Sequence, residues 1–461
     1  MPCYLYHLPT TAALSFVDLC GSNHSYVRHL AQTTQLRANL RGALKQAKHS
    51  DGEKDYLSLV KILDEYIPEL RAVMICISQG KIHPEKQPQF SWRVTLSTNV
   101  LSTSPRPSYP SFQVEYAYSL LTYAFTLSNF ARAIVFSLGD FENDHTISQS
   151  DRESKDAQLK HATTHLTRAS SVLSYVSETI LPEWEYGAKQ SGSLSIKKPP
   201  DLSREVIAAL SKLALADAQS LAIRKHLSKP TFESNFAPGP PLPKSHPAPG
   251  LLAKLHIECA SLYSSARILA KTPTSSELSS EVSPDLRHYL SDEAALHTAL
   301  GKKWIAIDAG EKGGVNRAGD AVGFMSWARK DLQELKDGGK SGSMAGIAAG
   351  DKEKKERALR KERVARELEI TGIWHKHYKK VNDTLHFQPL PAQSDMQSRM
   401  PTGILAISPS QYIPPLPSFG PGSLEHACQQ AEFISLDSSP NQNDLKPDPG
   451  RQSYAGAGDY F

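Results

Sequence analysis

Apolar residues recur at three- and four-residue spacing through most of the chain. Tyr56, Leu59, Val60, Leu63, Ile67 and Leu70 make one stripe, so residues 26–80 read as helices. The same spacing predicts a helix over 156–181, carried by Leu159, Ala162, Leu166, Ala169, Leu173 and Val176, with Pro182 expected to stop it. It predicts another over 202–227, opened by Pro199-Pro200-Asp201, a third starting at Leu251 and a fourth near Asp292. One stretch breaks the pattern. In "FSWRVTLS", Phe90, Trp92, Val94 and Leu96 alternate with polar residues, which predicts a strand in a small antiparallel sheet (near 1–25 and 88–100).

The segment 112–135, "FQVEYAYSLLTYAFTLSNFARAIV", is apolar on all sides and carries only Glu115 and Arg132 as charges. Its length would cross a bilayer. Gln113, Ser119, Thr122, Thr126, Ser128 and Asn129 interrupt it, however, and the pattern reads as a helix buried at the centre of a large helical domain. Helices in antiparallel series without a strict period predict a degenerate α-solenoid. The glycine-rich 336–350 reads as a flexible loop, and 351–370 as a helix with charge on most faces.

The closing stretch "YKKVNDTLHFQPLP" must be extended at its end, because Pro389 and Pro391 forbid helix there. It reads as a strap lying back across the helices, with Leu385 and Phe387 packed on them. Beyond it, proline, serine, glycine and glutamine dominate. Residues 1–410 form the expected domain, and 411–461 an expected disordered tail.

Composition narrows the functional classes. The 461 residues are 39% hydrophobic and 22% charged, enough for a sizeable core. A net charge of +4 is too mild for a nucleic-acid face. Cys3, Cys20, Cys76, Cys259 and Cys428 are scattered and odd in number, which suits a reducing compartment rather than a disulfide framework or zinc knuckle. The N-terminus lacks the basic and apolar regions of a secretory signal. His161 and His165 stand one helical turn apart, but no third ligand accompanies them. "DAGEKGGVNRAGD" (308–320) lacks the GK[ST] of a phosphate loop and does not follow a strand, and no nucleophile motif is present. An enzyme is disfavoured, and no cofactor or metal is implied.

Five segments in order resemble a Bro domain, the domain of Bro-one and ALIX-type proteins. They are "FQVEYAYSLLTYAFTLSNFARAI", "LKHATTHLTRASSVLSYVSETIL", "PDLSREVIAALSKLALADAQSLAIRK", "LLAKLHIECASLYSSARIL" and "WIAIDAGEKGGVNRAGDAVGFMSWARKDL". "YKKVNDTLHFQPLP", with "SRMPTG" and "YIPP" after it, is similar to the branch of that family serving fungal ambient alkaline-pH signalling. The resemblance implies a mostly α, curved, banana-shaped domain with a TPR-like core and a small sheet. It also implies a cytoplasmic adaptor recruited to plasma-membrane-associated or endosomal ESCRT sites.

Its implied partner is the C-terminal amphipathic helix of the main filament-forming ESCRT-III subunit, of the Snf-seven or Vps-thirty-two class. The family's pocket aromatic falls on Ala222, flanked by Leu221 and Ile223. Its two aliphatics fall on Leu251 and Leu255, and its two cations on Lys160 and Lys225. The first two turns of the helix from Leu251 are expected to stay partly open, with Cys259 and Leu262 in the core. The alternative is a curved helical scaffold that binds acidic membrane directly through the helix at 351–370.

Overall fold

The computed structural model describes residues 3–22, 26–49, 54–97, 105–144, 146–190, 198–233, 239–271, 282–338 and 351–437. In chain order the elements are α1 (Phe16–Leu19), β1 (Cys20–Ser22), α2 (Val27–His49), α3 (Tyr56–Ser78), β2 (Ile82–Pro84), β3 (Phe90–Ser91), β4 (Ser108–Tyr109), α4 (Phe112–Leu138), α5 (Gln149–Tyr175), α6 (Leu181–Gln190) and α7 (Arg204–Glu233). There follow α8 (Pro249–Ala270), α9 (Pro284–Lys312), α10 (Ala318–Gly338), α11 (Asp351–Val381), α12 (Gln393–Ser398) and α13 (Leu424–Asp437). From α7 to α11 each long helix packs on the next in the chain, as α2 to α5 do among themselves. This is the layered order of a helical solenoid.

The predicted strand is present. β1 pairs with β2 and β3 with β4, both antiparallel, and Trp92 bridges Thr11 near the N-terminus. Phe90, Trp92, Val94 and Leu96 are all buried, while Ser91, Arg93 and Thr95 between them are only partly so.

α4 is the central helix, with residues Val114 to Asn129 all buried. Phe112–Asn143 and Arg204–Phe232 are both long and apolar enough to cross a membrane, yet 72% and 78% of their apolar windows are buried inside the protein. Glu115 explains how a charge is tolerated at the core. It accepts from Arg37 Nε (2.8 Å), Tyr66 OH (2.8 Å) and Trp92 Nε1 (2.6 Å). The Arg37 guanidinium also reaches Thr11 Oγ1 and Ala12 O, both at 2.7 Å. With its donors and acceptors met, the pair offsets the desolvation that isolated charges would suffer.

A second buried polar seam joins α7, α8, α9 and α11. Asp217 accepts from Tyr263 OH (2.6 Å), Tyr289 OH (2.8 Å) and Tyr4 N (3.1 Å). Burial pushes its carboxyl up to about 7. His256 Nδ1 and His297 Nδ1 lie 2.9 Å apart, and burial drives both imidazoles well below their usual range, so both rings are neutral and one donates to the other. α11 closes the seam with Arg363 on Glu293 (3.0 Å) and Glu367 on Lys303 (2.8 Å).

Several expectations need correction. Pro182 does not stop its helix. α5 passes through a π turn at Val176–Ile180 into α6, and Pro182 falls in the first turn of α6. A proline lacks the N–H that a helix interior needs, and a widened turn just before it absorbs the misfit. α8 and α9 begin earlier than expected, each with a proline as its first residue, the favoured place for proline in a helix. The helix expected at 351–370 with charge on most faces is ion-paired, but α11 is not solvated all round. Val364, Trp374 and Tyr378 are buried, and Arg360, Arg363 and Arg366 pair with Asp292, Glu293 and Asp140. The flexible loop expected at 336–350 falls from 339 onward outside the described residues.

The strap exists, but it is later and longer than expected. Leu385 and Phe387 are 69% and 75% exposed, so they do not pack on helices. The chain leaves α11 through a π turn at Asn382–His386, and Phe387 takes a left-handed φ of 53°, which aims both side chains away from the body. Packing starts at the prolines. Gly319 on α10 has no room for a side chain because Pro389 O lies against it, and the Pro391 ring and Met396 lie on Gly323. The segment 411–423, expected within the disordered tail, is seated too. Arg71 donates to Pro414 O (3.2 Å), Ser418 N to Pro68 O (3.4 Å), and Phe419 is 1% exposed, stacked on His29 with centroids 4.3 Å apart. Residues 438–461 lie outside the described residues.

Candidate functional site

α5, α7 and α8 run antiparallel in turn. Ser170 meets Ser211 and Asp156 meets Ser228 across α5 and α7. Gln219 meets Leu255 and Ala216 meets Cys259 across α7 and α8. These registers bring Ala222 level with the first turn of α8 on one side and with Lys160 on the other. The expected residues therefore converge on one region, but in two layers.

Leu221 and Ile223 are buried, the first in a small core cluster with Leu159, Ala162, Leu166 and Ala218. Leu255 is 2% exposed and belongs to the main core, which corrects the expectation that it stays partly open. The reason is its place on α8: its carbonyl accepts from Gln219, and its side chain continues the stripe through Cys259 and Leu262, both buried as expected. Leu251, one turn earlier, is 39% exposed. Ala222 is half-buried, and Lys160 and Lys225 are exposed. Neither lysine joins an ion pair among the described residues, whereas neighbouring Arg224 is held by Glu142 at 2.5 Å. The surface thus offers an apolar spot, Ala222 and Leu251, beside two free cations, over an aliphatic floor.

Sequence reasoning missed the segment that borders this surface. Residues 403–407 of the strap cross α8 and α7. Gly403 lies against the backbone of Glu258, a contact that a Cβ would block. Ile404 N donates to Lys254 O (3.3 Å). Gln219, fully buried, donates Nε2 to Ile404 O (3.0 Å) and accepts from Ala406 N (2.8 Å). Ile407 then packs on the cluster that holds Leu221. The available signal was a pair of polar residues, Asp217 and Gln219, inside an otherwise apolar run.

His161 and His165 form a ring cluster with Phe130, their centroids 4.4 Å apart, and burial with His161 nearby lowers His165 to about 4. Among the described residues no group of three His, Cys, Asp or Glu could hold a metal.

Known proteins share this architecture. Residues 20–424 match the family model for the BRO1-like domain. The chain is 34% identical, over the full length of both, to pH-response regulator protein palC of Cryptococcus neoformans var. neoformans serotype D (strain B-3501A). It is 25% identical to the palC protein of Emericella nidulans, over 96% of this chain and 93% of that one. The ALIX BRO1 domain in its complex with CHMP4C superposes with a TM-score of 0.57 at 15% identity, covering 90% of this chain and 96% of that one. The chain belongs to the BRO1-like domain family, among relatives that are pH-response regulator proteins of the palC type.

Proposed function

We propose that the chain is a non-enzymatic adaptor that binds the C-terminal helix of the main filament-forming ESCRT-III subunit, of the Snf-seven or Vps-thirty-two class, in ambient alkaline-pH signalling. The observation that carries this reading is Leu251, an exposed leucine at the head of a buried stripe, level with small Ala222 and beside Lys160 and Lys225, which are unpaired among the described residues. An acidic amphipathic helix would set its apolar face on Ala222 and Leu251 and its carboxylates on the lysines. Leu221, Ile223 and Leu255 act as the floor. The ALIX BRO1–CHMP4C complex supports an ESCRT-III partner in general for this fold, and the palC relatives support the pH response. The adaptor works in the cytoplasm and is recruited to ESCRT sites at the plasma membrane or endosomes. Pairwise co-purification with each ESCRT-III subunit tests this: the Snf-seven class is retained, and retention of none of them overturns it.

Direct membrane binding through residues 351–370 of α11 is a weaker second reading. Arg360, Arg363 and Arg366 on that helix are already engaged by acidic residues of the body.

A further inference from the structure

Four exposed large apolar side chains stand near one another. Leu385, Phe387 and Leu390 are 69%, 75% and 59% exposed, and Val315 is 52% exposed. They belong to two neighbouring turns, since Gly314 and His386 line one small cavity with Tyr378 between them. The turn that carries Phe387 is held rigidly. Asn382, itself buried, donates Nδ2 to Gln388 O (2.9 Å) and accepts from Gln388 N (3.0 Å). Phe387 N closes the π turn on Asn382 O (2.7 Å), in the left-handed conformation that helix ends usually assign to glycine or asparagine. A large aromatic residue therefore sits at a strained position and packs on nothing that would repay the strain. Strain of this kind, enforced by surrounding bonds, marks a functional position.

The charge around this tip is mixed with a cationic excess: exposed Asp383 lies within the turn and Glu311 accepts from Tyr378 OH beside it, but lysines outnumber them. Lys376, Lys379 and Lys380 line the exposed face of the last turns of α11, and none joins an ion pair among the described residues. Lys312 and Arg317 stand on the neighbouring turn, sharing Asp308.

We propose that this tip is a membrane anchor. Leu385, Phe387, Leu390 and Val315 enter the boundary between headgroups and acyl chains of an anionic phospholipid surface, and Lys376, Lys379 and Lys380 contact its headgroups. Two features favour a lipid surface over a protein. The tip offers only a few apolar side chains and lysines, against the roughly 20–30 residues a side of a stable protein interface. Its cations are lysines, which are depleted at protein interfaces but attracted to anionic bilayers. Few inserted side chains plus few lysines give weak, reversible binding, so the anchor acts together with a second attachment. It adjoins the head of α8, where Gly250 faces Asp308, but it uses none of the residues of the Leu251 surface and does not depend on that reading.

The test is sedimentation of the full chain with phosphatidylcholine vesicles, with and without phosphatidylserine, at about 0.15 M salt. The wild type pellets with phosphatidylserine vesicles only. Phe387→Gly weakens this partition by roughly tenfold or more, while its melting temperature stays equal or rises, because glycine relieves the left-handed backbone. Lys379→Glu with Lys380→Glu weakens it likewise. Three results overturn the proposal: no pelleting of the wild type, Phe387→Gly pelleting as the wild type does, or a self-association of the wild type that Phe387→Gly abolishes, which assigns the tip to a second copy.

Discussion

Replacing Gln219 by alanine should peel the strap from α7 and α8 while leaving the helices folded. The carboxamide makes three bonds: to Leu255 O (3.2 Å), to Ile404 O (3.0 Å) and from Ala406 N (2.8 Å). Each is worth about 0.5–1.5 kcal/mol net, so their joint loss costs roughly 1.5–4.5 kcal/mol. The lower half of that range is expected, because the freed strap groups regain water when residues 403–407 lift away. Gln219→Glu is the sharper variant. It keeps an acceptor for Ala406 N but removes both donors and buries a charge, so it should cost more than alanine. Amide hydrogen exchange reads the effect locally. In the wild type the Ala406 amide should be protected, and in Gln219→Ala its exchange should rise by roughly tenfold to a hundredfold, following the lower half of those energies. Fast exchange at Ala406 in the wild type, or an unchanged rate in the variant, would refute the clamp.

Three further outcomes are expected. Glu115→Gln should cost about 3–5 kcal/mol in denaturant melts, because Arg37 keeps its charge with no counter-ion in the core. With respect to pH, His256 and His297 have folded values below the usual 6.5, so unfolding takes up protons and stability is lost as pH falls below that value. Asp217 runs the other way: its folded value, about 7, lies above its unfolded one, so its penalty fades as pH falls through 7. Asp217→Asn should therefore make the melting temperature fall more steeply than in the wild type between about pH 6.5 and 5, as calorimetry would record. Finally, Leu262→Asp places a charge in the core at a residue 8% exposed and should unfold the domain by circular dichroism.

The helices and the strand were legible because their periods are carried by the residues themselves. The alternation from Phe90 to Leu96 is matched position for position by burial. The strap shows what such patterns leave out. "YKKVNDTLHFQPLP" holds alternating apolar residues, yet a π turn and one left-handed residue turn Leu385 and Phe387 outward. Conversely, 403–423 is rich in proline, serine and glycine and carries no helical or strand period, but an extended chain needs only occasional anchors: Gln219 and Arg71 from the body, and Phe419 from the strap. Those anchors lie far apart in sequence, so no local period announces them. Likewise, the family's spacing points to the head of α8, but which of two leucines faces out depends on α7 packing against Leu255.

The most direct measurement is titration of the purified chain with a peptide of the ESCRT-III subunit's C-terminal helix, wild type against Leu251→Asp. Leu251 is exposed, so the variant should fold and melt like the wild type. The introduced carboxylate would have to be desolvated under the peptide's leucines, so binding should weaken by more than about tenfold, or ~1.4 kcal/mol. Equal binding by a folded Leu251→Asp protein, or no binding by the wild type at high micromolar peptide, would contradict the account.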